Sequence, residues 1–135
     1  MQELKRWRAY RGLDLNLEPA HFPVSDQLAA GIVIAAQQTG ADVGDLCYAF
    51  MRAVWIEERD ISDLETAIEI ANACGLDGKL LSAVAANPSV NATWERNTDD
   101  AIASGVMGAP FYIIGEHTLW GQDRLDFVEN ILIKQ

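Results

Sequence analysis

Apolar residues recur at helical spacing through most of the chain. Over residues 42–57 they occupy one helix face at the i, i+3, i+4, i+7 and i+8 positions. These positions are Leu46, Ala49, Phe50, Ala53 and Val54. Comparable patterns that end near glycine or proline predict further helices over residues 2–11, 25–39, 62–74, 78–86 and 88–104. The chain up to residue 104 is therefore predicted to be helical.

Polar residues at two predicted helix starts indicate how the first turns are capped. Ser62-Asp63-Leu64-Glu65 has the spacing of a capping box, in which Ser62 and Glu65 satisfy each other's terminal amides. Asp123 stands where a carboxylate caps the last helix and favours the positive end of its dipole. Both positions are therefore predicted to be N-caps.

The pattern changes after residue 104. Phe111–Ile114 is a short β-prone run, and Gly115-Glu116 after it is suited to a two-residue hairpin loop with glycine leading. Pro110 has no amide proton, so it belongs at the start of the strand. A second short run and an apolar helical pattern over residues 123–134 follow. The predicted order is loop, strand, hairpin, strand and helix.

Length and composition limit the class of protein. The chain has 135 residues, half of them hydrophobic, so it is long enough for about one domain with a core. Its formal charge of −10 argues against nucleic acid or an anionic membrane as the main partner. The start is charged, at Lys5 and Arg6, and no apolar run reaches the length of a membrane span. We therefore predict a soluble, cytoplasmic protein with no nucleic-acid or membrane partner.

The residues that most often carry redox or metal chemistry are sparse. Cys47 and Cys74 are far apart in sequence and form no C-x-x-C pair, which excludes the usual dithiol motif. Each lies in an apolar helical pattern and is predicted to be a buried free thiol. His21 and His117 have no neighbouring Cys or His cluster, so no metal site is predicted.

Residues 105–125 carry a more specific pattern. Gly105-Val106-Met107-Gly108-Ala109-Pro110 precedes the two short strands, and Trp120-Gly121-Gln122-Asp123-Arg124-Leu125 follows them. This ordered set resembles the 2-hydroxychromene-2-carboxylate isomerases, which are relatives of kappa-class glutathione transferases and of DsbA-like thioredoxin-fold oxidoreductases. The alternative is that Gly-Ala-Pro is an ordinary turn before a hairpin and that Trp120 is a buried anchor.

The resemblance implies a fold class and a domain division. The chain is expected to be mostly α with a C-terminal β-hairpin and helix, as a partial thioredoxin-like fold of the DsbA and glutathione transferase kappa type with a helical insertion. Residues 1–104 would be the helical domain. Residues 105–135 would be the C-terminal half of a thioredoxin-like domain, with a cis-proline loop, the hairpin and the final helix.

The resemblance also implies a ligand. In that family the proline is cis, and the residue before it offers its backbone to the cysteinyl part of glutathione, which points to Ala109 and Pro110. The family's Trp-Gly-x-Asp segment binds the rest of glutathione, which carries over to Trp120, Gly121, Gln122 and Asp123. The implied cofactor is glutathione, and the implied substrate is a small aromatic acid.

The family begins with a β-α-β unit that this sequence is expected to lack. Such a unit takes about 30 or more residues, and it holds the serine that contacts the glutathione sulfur in the isomerases. No residue here matches that serine, so the catalytic residue is unknown and a truncated form is expected. A lone two-stranded hairpin is marginal and has exposed edges. We therefore expect a homo-oligomer or a chain that another chain completes.

Three functions follow from these observations. The first is a glutathione-dependent isomerase-like protein that acts in aromatic compound catabolism by cis/trans isomerisation. The second is a relative of DsbA-like thiol-disulfide oxidoreductases, which would need a redox-active cysteine. The third is a non-catalytic helical interaction module.

Overall fold

The computed structural model describes residues 2–134 as seven helices, one short 3-10 helix and one β-hairpin. The elements are α1 Gln2–Arg11, α2 Gln27–Gln38, α3 Gly44–Trp55, α4 Leu64–Ala73, α5 Gly78–Ala85, α6 Pro88–Ala103, β1 Phe111–Ile114, β2 His117–Trp120, the 3-10 helix Gln122–Arg124 and α7 Leu125–Ile133. The prediction of a mostly helical chain with a C-terminal hairpin and helix is confirmed.

Contacts divide the chain into two compact units, residues 1–94 and residues 95–135. The division falls within α6 (Pro88–Ala103). The domain boundary between residues 104 and 105 stays a prediction, because a contact unit and a domain need not coincide.

The first unit holds a core built from α2, α3, α4 and α5. Ile32 on α2 and Leu46 on α3 are the bulkiest fully buried residues in it, together with Val90 on α6. Small residues allow close packing, since a Cβ at Gly31 of α2 would come within 3.2 Å of the Ala85 Cβ on α5. The apolar residues at helical spacing thus produce a helical unit with its own core.

The segment between α1 and α2 is tied to the end of α3. The backbone N–H of Asn16 donates to the carbonyl oxygen of Trp55 at 2.7 Å. The rings of Phe22 and Trp55 lie 4.7 Å apart between centroids, and the Phe22–Pro23 peptide bond is cis. These contacts hold an otherwise irregular connection against the helical core.

The predicted capping box at Ser62 is wrong by one residue. Asp63 is the N-cap of α4, with extended backbone, and its carboxylate accepts the Thr66 backbone N–H at 2.8 Å. The Ser62 hydroxyl instead donates to the Asp60 carboxylate at 2.6 Å, and the Ser62 N–H donates to the same oxygen at 2.9 Å. Because Asp60 holds Ser62 in the preceding turn, Asp63 is the N-cap residue of α4 in place of Ser62.

The predicted cap of the last helix is also wrong. Asp123 lies inside the 3-10 helix Gln122–Arg124, and Arg124 is the N-cap of α7 without a side-chain cap bond. A capping carboxylate must stand at the N-cap itself, next to the free amides of the first turn. The tight turn after Gly121 places Asp123 one residue too early for that role.

The hairpin of the second unit has the predicted strands and loop. The strands β1 and β2 are antiparallel, with Phe111 opposite Trp120 and Ile114 opposite His117, so Gly115 and Glu116 form a two-residue loop. Gly115 has a φ of 58°. Within residues 2–134 the two strands pair only with each other. Each strand therefore keeps one edge without a strand partner in the described part of the chain.

The second unit has little buried surface of its own. None of the described residues from 95 to 134 is buried. All of β1 is apolar, although Ile113 is 49% exposed, and α7 exposes Phe127 by 56%. A strand that is apolar at every position is typical of a sheet covered on both faces.

Candidate functional site

The proline loop and the end of β2 are joined by the main chain. The peptide bond between Ala109 and Pro110 is cis. The backbone N–H of Gly121 donates to the carbonyl oxygen of Pro110 at 3.0 Å, one position beyond the Phe111–Trp120 pair. Proline has no N–H, so this end of the ladder carries a single hydrogen bond. The loop is thereby fixed beside the Trp-Gly-Gln-Asp segment.

The indole of Trp120 lies against the loop at Gly108. A Cβ at Gly108 would lie 3.3 Å from Nε1 of the indole and 3.5 Å from two of its ring carbons. Trp120 is 54% exposed, so it is not the buried anchor of the alternative interpretation. The ring contacts the loop, and about half of the surface of Trp120 stays open to solvent.

Gly121 allows the chain to turn sharply after β2. Its φ of 117° and ψ of 149° lie in a region that is essentially restricted to glycine. A Cβ there would come within 2.6 Å of Oδ1 of Asp123. The Asp123 carboxylate also lies 3.6 Å from Nε of Arg124. The turn thus carries a carboxylate and a guanidinium side by side, both partly open to solvent.

The outer edge of β1 presents main-chain groups next to the loop. Hydrogen-bonded and non-bonded pairs alternate along an antiparallel ladder. Since Pro110 and Gly121 form a bonded pair, the next pair, Phe111 with Trp120, is non-bonded. The N–H and C=O of Phe111 and Ile113 therefore point away from β2. No third strand within residues 2–134 pairs with them.

The structure brings most of the predicted site residues together. Ala109 and Pro110 form the loop, Trp120 contacts it, and Gly121 bonds to it, whereas Asp123 is placed through its contact with Gly121. Gln122 begins the 3-10 helix and is exposed. Whether these residues bind a ligand stays a prediction.

Sequence reasoning did not assign a role to Gly108. Gly108 does belong to the motif that carries the family resemblance, where it stands two residues before Pro110. A Cβ at this position would meet the Trp120 ring, which belongs to a residue twelve positions further along the chain. Local sequence does not reveal such a contact.

The cysteines are free but not fully buried, which corrects the prediction of buried thiols. Both Cys47 and Cys74 are half-buried. Burial, together with the nearby Asp45 carboxylate, raises the pKa of the Cys74 thiol. Its Sγ lies 3.9 Å from the Asp45 carbonyl oxygen. A raised pKa keeps the thiol protonated, which is the opposite of what a redox nucleophile needs.

Residues 2–134 show neither a metal cluster nor a membrane-spanning helix. They contain no group of three or more His, Cys, Asp or Glu side chains arranged to hold a metal ion. In the same range, every helix is too short or too polar to cross a membrane.

The chain is similar in sequence and in fold to 2-hydroxychromene-2-carboxylate isomerases. The 2-hydroxychromene-2-carboxylate isomerase of Sphingobium xenophagum is 29% identical over 133 residues, which cover 98% of this chain and 66% of that protein. A solved structure of a 2-hydroxychromene-2-carboxylate isomerase matches with a TM-score of 0.74 at 22% identity, over 98% of this chain and 64% of the other. The chain thus spans just under two thirds of the length of each.

The structural match at this identity shows the fold, and it confirms the thioredoxin-like class predicted from the resemblance. A sequence model of the DSBA-like thioredoxin domain matches residues 1–132, almost the whole chain. The chain belongs to the family of DSBA-like thioredoxin domains.

Proposed function

We propose that this chain binds glutathione at the proline loop and the Trp120–Asp123 turn and serves an isomerase that acts on a small aromatic acid. The observation that carries the proposal is the bond between Gly121 and Pro110, which sets the loop and the turn side by side. The relative at 29% identity is named a 2-hydroxychromene-2-carboxylate isomerase, which supports the class of reaction.

The chemistry of the site suits a short thiol peptide. An extended peptide can pair with the unpaired main-chain groups beside Ala109 and Phe111, as an added strand pairs with a sheet edge. Glutathione also carries an ammonium group, for which the partly open carboxylate of Asp123 is a charge-assisted acceptor. The open face of Trp120 adds apolar contact area.

The proposed reaction uses the glutathione sulfur. The thiolate adds to a conjugated double bond of the substrate, the resulting single bond rotates, and the thiolate leaves with the double bond reformed. No atoms are gained or lost overall. We place the group that acts on the sulfur outside residues 1–135, in the same polypeptide or in another, since no residue here matches the family's serine.

Calorimetric titration of the chain with reduced glutathione tests the binding. We expect saturable heat and a rise in melting temperature, because a ligand that binds only the folded state stabilises it. Trp120→Ala should abolish most of the heat, whereas the matched Trp7→Ala in α1 should leave it unchanged. No heat and no thermal shift at millimolar glutathione would refute binding by this chain.

An isomerase assay of the chain alone separates catalysis from binding. Turnover would mean that the sulfur is activated by residues of this chain, which contradicts our placement of the catalytic group. Glutathione binding without turnover is the expected result. If the chain shows no binding and no turnover, the non-catalytic helical module becomes the better hypothesis.

A thiol-disulfide oxidoreductase is the weaker alternative. It needs a thiolate at neutral pH, whereas the pKa of Cys74 is raised and Cys47 lies in α3, without a C-x-x-C partner. We therefore expect no disulfide reduction by the chain.

The cytoplasmic location stays a prediction.

We also propose that another strand pairs with the open edge of β1 at Ile113, beyond the groups beside Ala109 and Phe111 that are proposed to hold glutathione. Either a second copy or another chain provides that strand. Ile113→Pro should reduce the association, because proline removes an outward N–H but not a β1–β2 bond. Sedimentation should show association of the wild-type chain at high micromolar concentration. A clean monomer under those conditions would exclude a second copy as the partner.

A further inference from the structure

We propose that Gly108 is a positioning residue for the glutathione site, because its missing side chain fixes where the Trp120 indole lies. This inference rests on the proposed glutathione function. Gly108 would act through its contact with the Trp120 indole, which forms a wall of the site, and it need not contact the ligand itself.

The steric argument is local. A Cβ at Gly108 would lie 3.3 Å from the indole Nε1, inside the optimal separation of about 3.5–4.0 Å for packed atoms. The ring would have to shift by a few tenths of an ångström, and the 54% exposure of Trp120 leaves room for that shift on the solvent side. That side is where the proposed ligand would contact Trp120.

The main chain of Trp120 cannot follow the ring. Trp120 is opposite Phe111 in the hairpin, and the next residue, Gly121, is bonded to Pro110 at 3.0 Å. Rotation about the side-chain torsions is therefore the easiest response to a larger residue at position 108. The expected displacement of the indole changes the wall of the proposed glutathione site and leaves the hairpin in place.

The backbone itself does not require glycine at this position. Gly108 is not among the glycines with positive φ, whereas Gly105 and Gly121 are. Where alanine fits the backbone, a glycine lowers stability through the larger entropy of the unfolded chain. The contact with Trp120 is thus the feature that accounts for glycine at position 108. The glycine favours the observed position of the Trp120 indole, which shapes the proposed ligand site.

Gly108→Ala tests the inference, with Gly44→Ala as the matched control. Gly44 also lacks a positive φ, and the nearest atom to its added Cβ is Oδ1 of Asp42 at 3.4 Å. The indole N–H resonance of Trp120 is assigned by its loss in Trp120→Phe. Without any ligand, Gly108→Ala should shift that resonance at an unchanged or higher melting temperature, and Gly44→Ala should not shift it.

Glutathione affinity provides the second readout. Gly108→Ala should weaken binding by about tenfold, which is roughly 1.4 kcal/mol, whereas Gly44→Ala should leave binding unchanged. In the Trp120→Phe background the smaller ring makes room, so adding Gly108→Ala should weaken binding by less than about twofold. This non-additivity is not expected of a residue with a merely structural role.

The outcomes are distinguishable. An unmoved indole resonance overturns the inference directly. A moved resonance with unchanged affinity overturns the positioning role and leaves the glutathione proposal intact. A wild-type chain that binds no glutathione overturns the proposed function and the positioning role with it. If Gly108→Ala does not fold, folding of the double variant with Trp120→Phe supports the steric contact, and misfolding of both contradicts it.

Discussion

The backbone N–H of Gly121 donates to the carbonyl oxygen of Pro110 at 3.0 Å, one position past the last residue pair of the β1–β2 hairpin. This bond joins two segments that lie about ten residues apart in the sequence. It sets the proline loop next to the turn that carries Asp123. The candidate site therefore depends on a single extension of the antiparallel ladder.

Gly121→Ala should weaken this connection strongly. The φ of 117° is unsuited to alanine, and its Cβ would lie 2.6 Å from Oδ1 of Asp123. Residues forced into such backbone regions cost about 1–3 kcal/mol. We expect faster hydrogen exchange of the Gly121 and Leu119 amides, which donate within the ladder, measured by NMR.

The control for that variant is Gly115→Ala in the hairpin loop. Gly115 also has positive φ, at 58°, but an added Cβ meets nothing within 4 Å. It should accelerate exchange less than Gly121→Ala does. Equal effects of the two variants would show that the contact with Asp123 has no structural weight.

Leu46→Ala should destabilise the helical unit. Leu46 is 1% exposed in the core, and truncating a buried leucine to alanine typically costs about 2–5 kcal/mol. Urea unfolding followed by circular dichroism measures the loss. Leu80→Ala is the matched control, because Leu80 is 58% exposed, and it should change the free energy of unfolding by less than about 0.5 kcal/mol.

Helical elements were predictable from sequence because their signals are local. The i, i+3, i+4 pattern that marked Phe50 and Val54 reflects burial along one face, and both residues are buried. The helix starts were less predictable. Asp60 holds Ser62 by two hydrogen bonds, and sequence spacing does not show which of two adjacent polar residues has the extended backbone of an N-cap.

The corrected cap of α4 can be tested with two variants. Asp63→Ala removes the acceptor of the Thr66 N–H and should lower the melting temperature more than Ser62→Ala, which removes only a hydrogen bond to Asp60. Thermal unfolding at pH 7 compares them. A larger loss from Ser62→Ala would restore the original capping box.

Asp63 also gives a pH dependence. The hydrogen bond from the Thr66 backbone N–H lowers the pKa of Asp63 below its ordinary value of about 3.9. A lowered folded pKa contributes stability that is fully present above the unfolded value and is lost as the pH falls through the folded value. Asp63→Asn, which still has an acceptor oxygen, should show a smaller loss of stability than the wild type as the pH falls below about 5.

Cys74 should react slowly with alkylating reagents. Burial and the neighbouring Asp45 carboxylate raise the pKa of its thiol, so the midpoint of its pH-rate profile should lie above the ordinary value of about 8.5. Mass spectrometry after timed iodoacetamide treatment separates it from Cys47. Asp45→Asn should lower the midpoint by removing the repulsion of the thiolate. A midpoint near neutral pH would revive the oxidoreductase hypothesis.

The candidate site was only partly predictable. The ordered motif pointed to Ala109, Pro110 and the residues from Trp120 to Asp123 because these are contiguous runs with a family resemblance. The position of Gly108 against the Trp120 ring depends on packing between segments twelve residues apart, and the failure of Asp123 as a cap depends on the turn after Gly121. A sequence pattern shows which residue types are present, but it does not show the direction in which their side chains point.

The most direct test of the account is a glutathione titration of the isotope-labelled chain followed by NMR, with shifts resolved by residue. We predict saturable shifts at Ala109, Gly121, Asp123 and the Trp120 indole, together with small or no shifts in α2 to α5. Absence of shifts at millimolar glutathione, or shifts confined to the helical unit, would contradict the assignment of the proline loop and the Trp120 turn as the ligand site.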